Sequence, residues 1–179
     1  MEEPKLNFER DGNFYIFGDI DESIPENIIA PLVAEIRDQK DKKEPKVITI
    51  HISSQGGELY YALDLIHIIE MAKDVGVEIH TVVSSQACSA ASMIAISGHR
   101  RFARRWSSHL IHFPRVWDHC HNPEMAQRNL DYTKFINKEV VELYKRKTKI
   151  KDVEKKMLAD NYIIMGNDLL EWGLVDVLV

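Results

Sequence analysis

The stretch VITIHISSQGG, residues 47–57, decides the fold. Val47-Ile48-Thr49-Ile50-His51-Ile52 is rich in β-branched residues and reads as a strand. Ser53-Ser54-Gln55-Gly56-Gly57 ends it in a tight turn, where two glycines permit positive φ and close approach of the backbone to a ligand. Leu59, Ala62, Leu63, Leu65, Ile66 and Ile69 then supply the apolar face of a helix. A strand passing through a glycine turn into an amphipathic helix is the repeating unit of α/β proteins.

Working outward, the same alternation continues. Phe14-Tyr15-Ile16-Phe17 predicts a strand closed by Gly18. Ser23 as N-cap and Pro25 in the first turn open a helix. Ile28, Ile29, Leu32, Val33 and Ile36 recur there at helical spacing, and Pro31 within that pattern either kinks the helix or delays its start. On the other side, Val77 to Val83 predicts a strand and Ala90 to Ser97 a small-residue helix. Leu110-Ile111 is a short strand with His112 at its end. Glu124 to Arg146 is a long, charged helix that leaves the compact body. Lys151 to Ala159 and Asp168 to Trp172 are shorter helices, the latter capped by Gly173, and Leu174 to Val179 closes the chain as a strand. The expectation is an α/β fold with a largely parallel inner sheet. Residues 1–12, being polar, are expected to form a mobile arm, and 13–179 one domain.

Composition narrows the function. The chain has 179 residues, 45% hydrophobic and 28% charged, which is ordinary globular composition. A net charge of −5 with no long basic run argues against nucleic acid as partner. Two cysteines, Cys88 and Cys120, make no disulfide framework. The opening MEEPKLNFERDG has no apolar signal core, and no apolar run approaches the ~20 residues of a membrane span. A soluble, cytoplasmic protein is expected. Asp118 with His119-Cys120-His121 does not have zinc-ligand spacing and reads as a loop, so no metal or other cofactor is expected. Arg100, Arg101, Arg104 and Arg105 read as pairing with acidic groups or as a subunit contact. Trp106, Trp117 and Trp172 read as packing or interface residues.

Three features carry chemistry. The first is the Gly56-Gly57 turn, whose N–H groups suit a developing oxyanion; the same pair also serves as a plain strand-to-helix turn. The second is SQACSAASM, residues 85–93. Ser89 there follows a strand and opens a helix, so the turn exposes Oγ, the helix N-terminus favours negative charge, and the next N–H is free to donate. Ser84, Ser85 and Ser92 compete with it, and a closely packed small-residue helix explains the same pattern. The third is His112 at a strand end, one of eight histidines; it is either a structural histidine or the base of a nearby serine.

The order of these parts resembles the Clp protease proteolytic subunits and the wider crotonase-like serine peptidases. Ile52-Ser53-Ser54-Gln55-Gly56-Gly57 is similar to the family's I-N-S-P-G-G, and Ser85-Gln86-Ala87-Cys88-Ser89 to its G-Q-A-A-S. Gly98 falls at the family's distance beyond that serine. Leu110-Ile111-His112-Phe113-Pro114 resembles M-I-H-Q-P, and Glu171-Trp172-Gly173-Leu174-Val175-Asp176 resembles E-Y-G-L-V-D. The likeness runs from about Phe14 to the end of the chain. Ser85 stands where the family has Gly and Gln55 where it has Pro. The residues after His112 lack the family's glycine-rich strand. Ala-Ala-Ser-Met after Ser89 resembles divergent phage-type members.

The resemblance implies a crotonase-like spiral of β-β-α units with a protruding long helix. It implies a serine endopeptidase with Ser89 as nucleophile, His112 as general base and an oxyanion hole at the N–H groups of Gly57 and Ala90. The third catalytic position is Asp160 if one residue is inserted in the following loop, or Asn161 when counted without a gap. Peptide or protein substrates, stacked rings of a homo-oligomer (a heptamer or tetradecamer) and an AAA+ ATPase unfoldase are implied as partners. Two other readings stand beside it: a catalytically weak scaffold subunit or phage capsid-maturation protease, and a crotonase-fold acyl-CoA enzyme, a class that shares the backbone oxyanion hole but lacks the Ser–His pair at these two positions.

Overall fold

The computed structural model describes residues 6–115 and 122–179. In the stretch quoted above, burial alternates along β3 (Ile48–Ser54): Ile48, Ile50, Ile52 and Ser54 point inward, and Thr49, His51 and Ser53 outward. Its parallel neighbours are β2 (Asn13–Ile16) and β4 (Ile79–Cys88). Beyond them, β1 (Asn7–Arg10) is antiparallel to β2, and β5 (Arg100–Ala103) and β8 (Val177–Leu178) continue the parallel run. The sheet order is β1-β2-β3-β4-β5-β8. Ile48, Ile50 and Ile52 share one buried apolar cluster with Leu65 and Ile69 of α2 (Leu59–Asp74) and with Leu32 of α1 (Ala30–Lys40). Each such side chain stabilises the fold by about 1.5–3 kcal/mol.

β4 is the strand that positions the site, because it serves two branches. His80–Val83 pair with β5, whereas Gln86–Cys88 pair with β6 (Ser108–Ile111). The register between β3 and β4 slips at the same point: Ile52 faces Val83, but Ser54 faces Ala87. The slipped segment swings the end of β4 out of the first branch and onto β6. β6 in turn carries the antiparallel β7 (Tyr162–Met165). The remaining helices are α3 (Ala90–Ala95), α4 (Pro123–Lys147), α5 (Val153–Leu158) and α6 (Asp168–Glu171).

α4 is half core and half projection. Ile136, Val140, Val141, Leu143 and Tyr144 are buried, while Met125, Leu130 and Phe135 in its first half are exposed. The Asn122 side chain caps it by accepting from the Met125 N–H at 2.8 Å. Lys145, Arg146 and Lys147 in its last turn complement the helix dipole.

The structure departs from the sequence reading in several places. Asn7–Arg10 do not belong to an arm; they form β1, and Asn7, buried, donates to the Asp19 carbonyl at 2.8 Å. Ser23 is not a side-chain cap; its hydroxyl lies 3.3 Å from the Asn7 amide. The helix before Pro31 begins as a π-helical turn, Pro25–Ile29, with the Ala30 N–H reaching back to Pro25. Proline clashes with the carbonyl four residues earlier, and a wider turn relieves that contact. Arg100–Ala103 and Tyr162–Met165 form the strands β5 and β7, which the sequence pattern does not predict. Among the described residues no helix is long and apolar enough to cross a membrane. The Asp118–His121 group and Trp117 lie outside the described residues.

The arginine cluster and the terminal GLVD stretch explain each other. Arg101 Nη2 and Nε donate to Asp176 at 2.6 and 3.0 Å, and its Nη1 donates to the carbonyls of Lys147 and Gly173, both at 2.7 Å. Burial pushes the Asp176 carboxyl up, but the hydrogen bonds and charge of Arg101 outweigh it and leave it below its ordinary value. One guanidinium thus fastens the chain end to β5 and to the end of α4. Trp172 packs against Tyr162, and Trp106 is 75% exposed.

Candidate active site

The residue at which β4 gives way to α3 is Ser89, with φ 54°. A left-handed serine costs about 1–3 kcal/mol and persists only when its surroundings hold it. Here its N–H donates to the Leu110 carbonyl at 2.8 Å, and its carbonyl accepts from the N–H groups of Ser92 and Met93 at 3.0 and 3.3 Å. The bond to Leu110 also sets the partner. β6 runs alongside in register, Cys88 opposite Leu110, so the chain reaches His112 just beyond Ser89. His112 Nε2 lies 2.8 Å from Ser89 Oγ. Residues 23 apart in sequence therefore meet because two parallel strands end together.

Gly56 and Gly57 lie against this turn for steric reasons. Gly56 has φ +99°, and a Cβ there would come within 2.6 Å of the Cys88 carbonyl oxygen and 2.9 Å of Ser89 Cβ. Gly57 has φ +145°, and its Cβ would meet the Ile20 carbonyl oxygen at 2.3 Å. Among the described residues neither the Gly57 N–H nor the Ala90 N–H has a protein acceptor. Both residues line a cavity of about 520 Å³ that also exposes Ser89 and His112. Leu59, Met93, Leu110 and Tyr144 give that cavity an apolar wall, and Tyr60 and Tyr132 join hydroxyl to hydroxyl at its edge.

On the other side of the imidazole, Asp160 Oδ1 lies 3.8 Å from His112 Nδ1, and Asp160 Oδ2 lies 3.6 Å from Arg115. The carboxylate is shared between a ring and a guanidinium and makes no short hydrogen bond to the ring. Asn161 lines the cavity, and both Asp160 and Asn161 take left-handed φ, 46° and 55°. Burial holds His112 below the usual imidazole value, Arg115 pushes the same way, and Asp160 opposes them. The net lowering favours the neutral ring. With the carboxylate facing Nδ1, its proton belongs there and Nε2 is left to accept from Ser89 Oγ.

The competing serines lie elsewhere. Ser85 is exposed and shares a 2.6 Å contact with Ser53. Ser84 is half-buried. Ser92 is fully buried, where Tyr144 Oη donates to it at 2.9 Å and His109 Nδ1 lies 2.9 Å away. The sequence pattern does not predict this second serine–histidine contact, the ion pair of Arg115 or the Tyr60–Tyr132 pair. Each joins residues on different elements, and no local spacing announces such a contact.

The sequence profile of one family, Clp protease, matches residues 6–179. The chain belongs to the Clp protease family, and its mixed α/β architecture is the crotonase-like fold of that family. No curated protein matches the chain.

Proposed function

We propose that this member of a peptidase family is a serine endopeptidase that acts through Ser89, His112 and Asp160. Ser89 Oγ attacks the substrate carbonyl while His112 Nε2 takes its proton. The tetrahedral oxyanion sits between the N–H groups of Gly57 and Ala90, donors of a kind worth about 3–4 kcal/mol each in a transition state. His112 then protonates the departing amine, and water, deprotonated by the same ring, releases the acyl group from Ser89. Asp160 keeps the ring in the required tautomer and offsets its charge. The observation that carries this reading is the 2.8 Å contact of Ser89 Oγ with His112 Nε2 at a strained turn opening on a cavity lined by the Gly57 and Ala90 N–H groups, neither paired among the described residues.

The same proposal includes self-compartmentalisation in stacked rings, as in the family the chain resembles. It is supported by the apolar side chains that α4, α5 and β7 leave uncovered: Leu130, Phe135, Leu158, Ile163 and Met165, each 48–70% exposed. An ATP-driven unfoldase would then supply folded substrates. A second reading, a subunit of weak or conditional activity, is favoured by one observation: the 3.8 Å gap between His112 and a carboxylate also held by Arg115.

Fluorophosphonate labelling of the purified assembly, read by intact mass and peptide mapping, tests the proposal. Stoichiometric adduct on Ser89, absent in Ser89→Ala, is the expected result. No adduct in an assembled particle sinks the peptidase reading in favour of the weak-subunit one.

A further inference from the structure

Beneath the nucleophile turn lies a buried polar chain with no part in the chemistry just described. Tyr144 of α4 donates its hydroxyl proton to Ser92 Oγ of α3, at 2.9 Å. Ser92 Oγ lies 2.9 Å from His109 Nδ1 on β6. Ser92 and His109 are both 0% exposed, and Tyr144 1%. His109 Nε2 has no partner among the described residues. A packed apolar core would avoid that cost, since an unpaired buried polar atom is unfavourable by about 1–3 kcal/mol.

The placement of the chain explains its presence. Ser92 is one turn beyond Ser89, and its N–H binds the Ser89 carbonyl. His109 adjoins Leu110, whose carbonyl holds the Ser89 N–H, and lies three residues before His112. Tyr144 also forms part of the cavity wall. The helix that presents Ser89 and the Ala90 N–H, the strand that presents His112 and the long helix behind both are thus joined at a single atom, Ser92 Oγ. Apolar packing resists compression but permits sliding; two directed hydrogen bonds fix the sliding coordinate.

We propose that Tyr144, Ser92 and His109 are positioning residues that set α3 against β6 and so hold Ser89 and His112 in reacting register. This rests on the reading of Ser89 and His112 as the reacting pair. Because Tyr144 donates to Ser92 Oγ, the Ser92 hydroxyl in turn donates its hydrogen bond to His109 Nδ1, and the neutral His109 carries its proton on Nε2. An acceptor at the Nδ1 position is what the chain needs from residue 109. Misplacement of reacting groups by about 1 Å costs up to roughly 100-fold in rate.

The test compares Tyr144→Phe, Ser92→Ala, His109→Leu and His109→Asn with the wild-type assembly. Three quantities are read: kcat and KM on a fluorogenic peptide, the titration of His112 by ring NMR, and melting temperature. His109→Leu removes the acceptor together with the orphaned nitrogen, whereas His109→Asn keeps an acceptor near the Nδ1 position. In Tyr144→Phe, Ser92→Ala and His109→Leu, kcat is expected to fall about 10- to 100-fold with KM little changed. His112, freed from Ser89, titrates at a changed pH in those three, and His109→Asn recovers most of the rate. The groups that face His112 directly, Ser89, Arg115 and Asp160, are unaltered in all four. Unchanged kcat and an unchanged His112 titration in Ser92→Ala and His109→Leu would overturn the proposal, as would a rate loss that merely tracks melting temperature and is not rescued by asparagine. If the wild type itself is inert, the peptidase reading fails, while the His112 titration still decides whether the chain positions the pair.

Discussion

Two serine–histidine contacts lie within one helical turn of each other, Ser89–His112 at 2.8 Å and Ser92–His109 at 2.9 Å. Distance does not distinguish them; surroundings do. Ser89 sits in a left-handed turn on a cavity, with two N–H groups beside it that have no acceptor among the described residues and a carboxylate behind its histidine. Ser92 lies inside the helix that Ser89 opens, wholly buried, with its oxygen already accepting a proton from Tyr144. The first opens on a cavity, and the second is closed to solvent. Nor is there room for charge: burial, reinforced by Arg101, pushes His109 down to about 3, so it does not become the cation that a general base must become. Under the proposed function, a serine–histidine contact makes a nucleophile only where substrate, oxyanion donors and a counter-charge converge.

The largest expected effect separates the pairs by their third partner. Asp160→Asn should lower kcat/KM by on the order of 10²-fold or more, since it removes the charge that offsets the imidazolium, while Asn161→Ala should cost less than about threefold. Steady-state kinetics at equal assembly decide it. The reverse order would make Asn161 the residue that orients His112, and no loss from either would leave the ring oriented by its burial alone.

Much of this comparison was legible in sequence, and the limit is physical. The strand–glycine–helix and strand–serine–helix patterns are local, and β3, α2, β4 and α3 follow from them. Ser89 and His112 were read as a pair, and the structure brings them into contact. In sequence Ser92 is only a rival to Ser89, because its partners come from β6 and α4, 17 and 52 residues away. β5 looks in sequence like a patch of arginines, since its RRFA sequence has no apolar alternation; Arg101 is tolerated there because Asp176 and two carbonyls satisfy it. β7 offered a signal, the apolar run Tyr162-Ile163-Ile164-Met165, which is as short as a strand can usefully be. The polar start of the chain concealed β1, where Asn7 is buried by hydrogen bonding instead of by apolar character.

The second prediction uses acid to test the buried pair. His109 titrates near 3 when folded and near its ordinary value of 6.5 when unfolded, so between those values the unfolded chain binds the extra proton. Stability due to this group is complete above pH ~6.5 and falls with pH below it, by roughly 1 kcal/mol per pH unit while it is the only such group. His109→Leu should flatten the acid limb of stability against pH, measured by urea unfolding between pH 4 and 7. An equally steep limb in the variant would mean that His109 opens to water before the fold is lost.

The smallest expected effect concerns Arg115, which acts on His112 from outside. Its guanidinium draws on the same carboxylate as the ring and repels a proton from the ring. Arg115→Gln removes both influences. Asp160 is then free to close on Nδ1, and both changes favour the protonated ring, so the His112 pKa rises. A general base works as its neutral form, so the acid limb of kcat/KM should move to higher pH while the plateau rate is kept or slightly raised. The sign is the informative part. A limb that moves to lower pH would mean that Arg115 holds Asp160 near the ring, and the gap of 3.8 Å would then be the working distance of the pair and not a contact waiting to close.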